Sequence, residues 1–447
     1  MEDREFELNN GEFVYGVLDT YELADSDDLV TLGKVQGTIH VGDTVYISNK
    51  GDDDDEIIVT NVVAMERNGM PASEANNCFV SLRIREGGIE NIKIGSVIRS
   101  ENVSEEVIQT SYVRALGESY IGKRNFELSE DDLMRMSITD CAETMRLFVW
   151  KFSGNNEERP KEEVAEAKRK CDVVRKSMAK KILMADEIYI VINKITGEPH
   201  LFSRTTKKDG GYLSSPPEIK IFTKAYLKIA KANFPEDKFE IRRIENDKIE
   251  QTLFDSIYLN GALGVRVMFD FVAIAAESLV KPKDYSNEKQ TMIPVTNPAF
   301  MRWMLLRAQI DNPQNEEEKI IARIYYRMFV IEMIKAKFII PVKFMGEKPQ
   351  FDDDGKITSQ IDENRIACPI IEGKDGKRLT FLYSDYKRYR APKGEGWQAL
   401  VTSMEEILNL FDVVINAKEG EHKGCFVNRE LFEEMKKMAE FGNGKNS

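Results

Sequence analysis

Short runs of alternating apolar and polar residues, separated by turn residues, fill the first hundred positions of the chain. Because successive side chains of a strand point to opposite faces, such alternation predicts half-buried β-strands. The runs lie at 13–18, 29–35, 44–47, 56–63 and 78–84. Short strands at this spacing are typical of a small antiparallel barrel or sandwich. We therefore predict an N-terminal β-barrel over residues 1–103.

Beyond the barrel the apolar residues change to helical spacing. Ser129 lies three residues before Asp132, a pattern typical of a helix N-terminus with a capping box. The pattern predicts one helix from Ser129 through Phe152. We therefore assign residues 104–165 as a helical connector.

The rest of the chain contains a duplicated pattern. Two helix-like runs, 171–184 and 320–334, are each followed by an apolar strand, at 185–191 and 336–342. The residues predicted to face inward recur at the 3.6-residue period of a helix. They are Val173, Val174, Met178, Ile182 and Leu183 in the first run, and Ile321, Ile324, Met328, Ile331 and Ile334 in the second. The pattern predicts two units related by duplication.

A segment that occurs in both units aligns their second halves with each other. Leu253–Asn260 is similar to Leu410–Asn416, and each Asn is followed by a turn, an extended run and a final helix. These runs and helices lie at 265–269 and 271–279 in the first copy, and at 424–427 and 429–439 in the second. We therefore predict an α+β fold class, with an antiparallel β-barrel followed by duplicated α+β units at 166–284 and 299–447.

Charge is distributed unevenly along the chain. The net charge is −13, and residues 1–100 carry 20 Asp and Glu against 8 Lys and Arg, a net charge of −12. An acidic surface repels phosphate backbones, which argues against nucleic-acid binding through the barrel. If the barrel binds a partner, we expect a protein with a basic surface.

The cysteines and histidines form no chemical motif. The five cysteines are dispersed without a CxxC pair, which favours reduced thiols in the cytoplasm over disulfides or zinc. His40, His200 and His422 are far apart, so each is interpreted as a surface polar residue. No run of 18 apolar residues occurs, and no transmembrane helix is predicted. We therefore predict no catalytic residues, no metal, no cofactor and no membrane contact.

Three segments resemble parts of a GTPase, but none completes a motif. Residues 117–124 read GESYIGKR, in which Arg124 replaces the Ser or Thr of a P-loop. Residues 193–196 read NKIT, without the Asp that recognises guanine, and the DDDG at 352–355 follows in the wrong order. GTP binding is therefore not expected, and the first segment is interpreted as a loop and the second as a hairpin turn.

Two groups of residues are candidate sites. Asn260 and Asn416 end similar segments, where an Asn either orients a ligand or forms a turn, and the turn is favoured because Asn tolerates a left-handed backbone. The second group combines aromatic and cationic side chains, as interface hot spots do. It comprises Tyr386, Arg388, Tyr389, Arg390 and Trp397. Its alternative interpretation is a half-buried helix and loop.

The segment GKVQGTIHVGD at residues 33–43 resembles the G-x-V-x-x-G-x-I-x-x-G-D segment in domain two of elongation factor Tu and its relatives. Residues 76–84 and 89–98 are similar to the closing strands of that family. The resemblance implies a barrel of the translation-factor type. It does not imply a role in translation, because this barrel is reused in many proteins.

Residues 320–440, and in a more diverged form 170–280, resemble the SseB family, which is named for enhanced serine sensitivity. The shared layout is a strand and hairpin, a Phe-Thr segment, a helix and a strand that ends in Asn. The family continues with Pro, where this chain has Ala417 and Gly261. The resemblance implies a bacterial protein and a fold rather than an activity.

Duplicated sheets without a complete catalytic motif are interpreted as a non-catalytic binding or scaffold protein that contacts protein partners. Two alternatives stay open. The barrel favours a translation- or GTPase-associated factor that uses it as a docking module. Distant carboxylates and the Cys and His residues could also meet in an enzyme site between the two repeats, which the sequence does not show.

Overall fold

A computed structural model describes residues 8–23, 28–52, 56–85, 92–154, 159–268, 272–289, 293–310, 312–345, 366–372, 377–392, 394–417 and 424–440. These residues form a mixed α+β chain with an N-terminal antiparallel barrel, so the predicted fold class is confirmed. The features discussed at 352–355 and at His422 lie outside the described residues.

The barrel is closed and antiparallel. Its strands are β1 (Phe13–Glu22), β2 (Leu29–His40), β3 (Thr44–Ser48), β4 (Ile58–Arg67), β5 (Met70–Ala72), β6 (Glu74–Asn76), β7 (Phe79–Ile84) and β8 (Val97–Arg99). Six of them follow the order β1-β8-β3-β4-β7-β2, and β2 pairs again with β1 to close the cylinder. The short β5 and β6 pair with β4 and β2.

The barrel interior is packed around one aromatic ring. Tyr15 is fully buried, and its hydroxyl is hydrogen-bonded to Thr31 and to the carbonyl of Val80. Gly33 passes so close to this strand that a Cβ would lie 2.2 Å from the carbonyl oxygen of Gly16. Glycine at this position therefore permits β1 and β2 to approach closely.

The connector is helical. It comprises α1 (Glu105–Leu116), a π-helical segment (Gly117–Lys123), α2 (Glu130–Arg135) and α3 (Ile138–Ser153). The segment interpreted as a loop is thus a continuation of α1, and the Arg124 N–H donates to the Ser119 carbonyl at 3.0 Å. Its backbone amides are used within the helix, so it is not a phosphate-binding loop.

The single helix predicted from Ser129 is two helices. The capping box of Ser129 and Asp132 at the start of α2 is confirmed. A second capping box, formed by Ser137 and Asp140, starts α3, and Met136 between the two helices is extended. The break occurs because Ser137 satisfies the first free N–H groups of a new helix.

The first repeat is built around a five-stranded sheet. Its elements are α4 (Lys161–Met184), β9 (Glu187–Asn193), β10 (Thr205–Lys208), β11 (Gly211–Ser214), β12 (Ile219–Phe222), α5 (Leu227–Asn233), β13 (Phe239–Glu245), α6 (Asn246–Phe254), β14 (Gly264–Val267), β15 (Val272–Ala275) and α7 (Ala276–Leu279). The sheet order is β13-β9-β12-β14-β15, and β12 and β14 are parallel. A π-helical segment (Asp255–Leu259) extends α6.

The second repeat has the same strand order. Its elements are α8 (Pro298–Gln309), α9 (Glu316–Lys335), β16 (Lys337–Phe344), β17 (Ile366–Ala367), β18 (Ile371–Glu372), β19 (Arg378–Leu382), β20 (Trp397–Ser403), α10 (Met404–Ile407), β21 (Asp412–Ile415), β22 (Cys425–Val427) and α11 (Arg429–Glu440). A bridge between Ile339 and Tyr383 joins β16 to the end of β19. The order β20-β16-β19-β21-β22 thus matches the first sheet, including its parallel pair.

The sequence alignment of the two copies is wrong in register. Leu253–Leu259 is helical, whereas Leu410–Asn416 contains the strand β21. The structural equivalent of Asn416 is Met268, because both residues follow the parallel strand with a φ of 54°. Both also donate their backbone N–H at 2.8 Å to the neighbouring parallel strand. The alignment was mistaken because similar residues occur in a helix in the first copy and in a strand in the second.

Two further helix predictions are corrected. Val272–Leu279 forms β15 and the short α7 instead of one helix. The buried residues of α9 are Ala322, Tyr325, Phe329, Val330 and Met333, and the predicted inward residues lie beside this face. The aromatic rings determine which side of α9 faces inward, since Phe329 packs on Phe300 and Tyr325 packs on Trp303 of α8.

Buried apolar side chains form two clusters. One fills the barrel interior. The other includes Val14, Ile94 and Val97 of the barrel and runs from there through the connector helices and both repeats. Among the described residues, no helix is both long enough and apolar enough to span a membrane.

Candidate functional site

Arg388 lies at the junction of the two repeats, just beyond the carboxyl end of β19. Its guanidinium donates through Nη1 to Asp385 at 2.5 Å, and through Nη2 to Glu198 at 2.8 Å and to Asn260 at 2.5 Å. Glu198 and Asn260 belong to the first repeat, so one side chain from the second repeat crosses the junction. We call these four residues the Arg388 junction.

Asn260 is buried within the Arg388 junction. Its Nδ2 donates to Glu198 at 3.0 Å, and its backbone is right-handed. The left-handed position belongs to Gly261, where a Cβ would lie 2.0 Å from the Pro298 carbonyl oxygen. The Asn260 side chain therefore bridges the two repeats, and the turn itself is made by the following glycine.

Asn416 supports the Arg388 junction from the other side. Its backbone is left-handed, its Oδ1 accepts the Ser384 N–H at 2.9 Å, and its Nδ2 donates to the Ser384 Oγ at 3.0 Å. The Ser384 hydroxyl in turn donates to Asp385 at 2.7 Å. A chain of hydrogen bonds therefore connects the two Asn residues that the sequence indicated.

The remaining residues of the predicted aromatic and cationic patch come from two parts of the second repeat. Tyr386 is half exposed, and its ring contacts Tyr389, which also packs on Tyr383. Arg390 is exposed and donates to nearby backbone carbonyls. Trp397 begins β20, on a different strand from the tyrosines. Among these residues, the rings of Tyr386 and Tyr389 contact each other.

The Arg388 junction combines one cation with two carboxylates. Burial would lower the pKa of Arg388, but the carboxylates of Glu198 and Asp385 outweigh it and raise the pKa. Close by, Lys387 pairs with Asp255. Because the polar groups of the junction bond one another, its geometry holds the two repeats together. The sequence did not indicate Glu198, which is far away in the chain, although Asp385 lies three residues before Arg388, an ion-pair spacing.

A second charged cluster joins the barrel to the connector. Lys93, from the barrel, pairs with Asp140 at the start of α3 and with Asp52. Asp140 is only 1% exposed and also accepts from the Tyr112 hydroxyl at 2.9 Å. Burial would lower the pKa of Lys93, but the two carboxylates raise it, while burial together with Asp140 raises the pKa of Tyr112 well above its usual value.

A polar cavity of about 210 Å³ adjoins this cluster. Its walls include Asp19, Lys93, Arg124, Asp132 and Asp140. Arg124 pairs with Asp19 and with Asp132, so the cations and carboxylates of the wall neutralise one another. The cavity is large enough for water and carries nearly balanced charge.

Charged side chains of both signs in the barrel are used inside the molecule. Lys50 pairs with Glu105, Lys93 pairs with Asp140, and Arg99 is buried against backbone carbonyls. Among the carboxylates, Asp28 pairs with Arg83, and Asp19 pairs with Lys123 and Arg124 of the connector. Glu22 and Glu56 remain exposed.

One part of this surface combines acidic and apolar groups. Glu66, Met70, Glu74 and Phe79 lie on β4, β5, β6 and β7 and are exposed, Met70 by 69% and Phe79 by 56%. Arg67 and Lys34 add two opposing charges beside them, and the Lys34 ammonium lies 5.8 Å from the centre of the Phe79 ring. We call the four residues the acidic barrel face. Exposed apolar groups surrounded by charge are typical of protein-binding surfaces.

His200 is not the surface residue expected from the sequence. Its ring packs edge-on against Phe202 and Phe239, and its Nδ1 accepts from Gln309 at 2.7 Å. Burial, assisted by Lys220, lowers the pKa of His200 to about 4. The histidine is therefore neutral at physiological pH and takes part in packing.

Within the described ranges, no group of three or more His, Cys, Asp or Glu residues is placed to hold a metal ion. No family model matches the chain, and no curated protein matches it. Among solved structures, translation elongation factor SelB from Methanococcus maripaludis in its apo form is similar, at 17% identity and a TM-score of 0.19, over 21% of this chain and 20% of SelB. The same factor bound to the GTP analogue GppNHp gives 16% identity, a TM-score of 0.19, and coverage of 22% and 21%. The chain thus matches about a fifth of the length of SelB.

Proposed function

We propose that this chain is a non-catalytic binding or scaffold protein, and that the acidic barrel face contacts a basic surface on a protein partner. The observation that carries the proposal is the acidic barrel face itself. Exposed Met70 and Phe79 supply apolar area, while Glu66 and Glu74 favour a positively charged partner.

In this proposal the two repeats support the barrel. The Arg388 junction and the shared core hold them as one body, and the Lys93–Asp140 pair attaches the barrel to that body. This rigid attachment keeps the acidic barrel face in a fixed position, which reduces the entropy that is lost when a partner binds. We further propose that the barrel is of the translation-factor type and that the repeats are SseB-like, on the sequence segments described above.

The test is a pull-down with the tagged full chain and two charge-reversal variants. Glu66→Lys with Glu74→Lys reverses the acidic barrel face. Glu236→Lys with Asp237→Lys makes the same change in charge at exposed positions in the first repeat. We expect the wild type and the control to retain a stoichiometric partner that is released by salt, and the barrel variant to lose it.

Two results would count against the proposal. One is that the wild type retains no partner above the level of the untagged control. The other is that the barrel variant retains the same partner as the wild type. Pelleting ribosomes from the same extract tests the translation-associated alternative, which requires the chain in the ribosomal pellet.

A further inference from the structure

The polar cavity between the barrel and the connector has room for a small molecule. Its volume of about 210 Å³ is more than ten times the 10–15 Å³ or so that a single water needs. Asp19 and Lys93 reach its wall from the barrel, and Tyr120, Arg124 and Asp132 reach it from the connector. A molecule inside the cavity therefore lies within reach of polar side chains from both parts.

Tyr120 is buried in this wall, yet its hydroxyl has no hydrogen-bond partner among the described residues. The residue is only 3% exposed. In the described part of the chain, three side-chain polar atoms lack a partner and are sealed from solvent, and the Tyr120 hydroxyl is not one of them. They are Arg99 Nε, Ser111 Oγ and Thr144 Oγ1. The Tyr120 hydroxyl is therefore open to the cavity that its side chain lines.

The surroundings of this hydroxyl keep it in the protonated form. Burial, together with the carboxylates of Asp132 and Asp140 in the cavity wall, raises the pKa of Tyr120. A protonated phenol that is open to the cavity can donate a hydrogen bond to a ligand. Tyr120 thus supplies the first unused donor of the site.

Arg124 and Asp132 each have one unused polar atom beside Tyr120. The Arg124 guanidinium lies 5.4 Å from the centre of the Tyr120 ring, and its two Nη atoms donate to other side chains. Its Nε faces the Asp132 Oδ1 at 3.7 Å, while the Asp132 Oδ2 accepts from Ser129. Hydrogen bonds between charged groups measure about 2.7–2.9 Å, so this pair is too wide to be one. Within the described residues, Nε therefore lacks an acceptor and Oδ1 lacks a donor.

Two donors and one acceptor at one place suit a ligand with charges of both signs. A carboxylate can accept from Arg124 Nε and from the Tyr120 hydroxyl, and an ammonium can donate to Asp132 Oδ1. The cavity wall carries four Asp against one Lys and two Arg, a net charge of −1, which does not attract a simple anion such as phosphate. A simple cation would leave both donors without an acceptor.

We propose that the cavity is a binding site for a small zwitterion of the amino-acid class. Its carboxylate lies against Arg124 and Tyr120, its ammonium lies against Asp132, and its other atoms contact Ile94 and Met136, which add apolar area to the wall. Charged hydrogen bonds are stronger in such a buried place than in water. The cavity shares no residue with the acidic barrel face, so the inference goes beyond the proposed function and does not depend on it.

The test begins with thermal unfolding of the full chain in the presence of each standard amino acid in turn. A ligand that binds only the folded chain raises its melting temperature. Isothermal titration calorimetry then measures the dissociation constant of each amino acid that does so. We expect at least one to bind, and its N-acetyl derivative and its amide, which each lack one charge, to bind at least about tenfold more weakly.

Two variants test the residues. Tyr120→Phe removes a hydroxyl that bonds no described residue, so the chain should fold normally and bind the amino acid about tenfold more weakly. Asp132→Asn removes the counter-charge of the ammonium, while its amide oxygen can still accept from Ser129, and it should weaken binding as well. The matched control is Tyr212→Phe, at an exposed tyrosine of β11, which should bind like the wild type. Circular dichroism checks that each variant is folded.

Three results would overturn the inference. The first is that no amino acid binds at concentrations up to about 10 mM. The second is that the N-acetyl derivative and the amide bind as tightly as the free amino acid. The third is that a folded Tyr120→Phe or Asp132→Asn protein binds as tightly as the wild type. None of these results affects the pull-down, so the proposed function survives such a failure.

Discussion

The guanidinium of Arg388 in the second repeat donates to the side-chain oxygen of Asn260 in the first repeat, with 2.5 Å between Nη2 and Oδ1. The same group holds Glu198 and Asp385. Neither repeat contains the whole arrangement, so its stability depends on both. Removal of the cation leaves the buried Asp385 carboxylate without its ion-pair partner.

Arg388→Ala should lower the free energy of unfolding by about 3 kcal/mol, because it leaves the buried Asp385 carboxylate uncompensated. Arg388→Lys should lose less stability, since lysine retains the positive charge but not the planar guanidinium that binds several acceptors at once. Urea unfolding followed by circular dichroism measures both. The exposed Arg390→Ala is the control and should stay within about 0.5 kcal/mol of the wild type. An Arg388→Ala protein as stable as this control would contradict the role of the junction.

Asn416 provides a test of backbone strain. Its φ of 54° is unfavourable for a residue with a Cβ, and Asn tolerates it better than Ala does. Both Asn416→Ala and Asn416→Gly lose the contacts with Ser384, but only glycine removes the steric cost. We expect the Ala variant to be about 1 kcal/mol less stable than the Gly variant by urea unfolding. Equal stability would mean that the left-handed turn contributes nothing.

Removing both charges of the Lys93–Asp140 pair should cost less stability than removing Lys93 alone. Lys93→Ala should cost about 3 kcal/mol, because Asp140 is left charged in a buried position. The double variant Lys93→Met with Asp140→Asn removes both charges and should recover most of that loss, since the amide still accepts from the Ser137 N–H. Thermal unfolding of the three proteins distinguishes the cases. A double variant less stable than Lys93→Ala would show that the charges themselves are required.

His200 predicts how stability changes with pH. Its pKa of about 4 in the folded chain lies below the usual 6.5, so the unfolded chain binds the proton more readily between these values. The contribution is fully present above pH 6.5 and is lost as the pH falls toward 4, about 3 kcal/mol in all. His200→Gln should remove this part of the pH dependence in urea unfolding, whereas the exposed His40→Gln should retain it. An unchanged slope in the His200 variant would contradict the packing described here.

The barrel and the helix starts were the features best predicted from the sequence. Strands such as β2 alternate between interior and surface, so the pattern of Leu29, Thr31 and Val35 reveals them directly. The capping box at Ser129 is likewise a local signal. The second box, formed by Ser137 and Asp140, has the same local spacing but was hidden within a run that fits one continuous helix.

The sequence revealed the duplication but not which residues of the two copies are structurally equivalent. Residues 253–255 and 410–412 read LFD in both copies, yet one stretch is helical and the other leads into a strand. Tertiary packing decided the outcome, as it often does for short apolar segments. The equivalence of Met268 and Asn416 depends on backbone angles that the two side chains do not indicate.

The Arg388 junction could be predicted only in part. Asn260, Arg388 and Asn416 were each indicated, but for separate reasons and on separate surfaces. Their contact depends on Glu198, which is nearly two hundred residues from Arg388, and long-range pairs of this kind leave no trace in a single sequence. The charge count of residues 1–100 did not indicate where Glu66 and Glu74 lie on the barrel.

The two separate apolar clusters have a consequence for how the chain withstands stress. The barrel has its own interior, but Val14, Ile94 and Val97 of the barrel belong to the cluster that the connector and both repeats share. The barrel therefore cannot open without disturbing the packing of the connector. A molecule heated or pulled from its ends should lose these two parts together, as one cooperative unit.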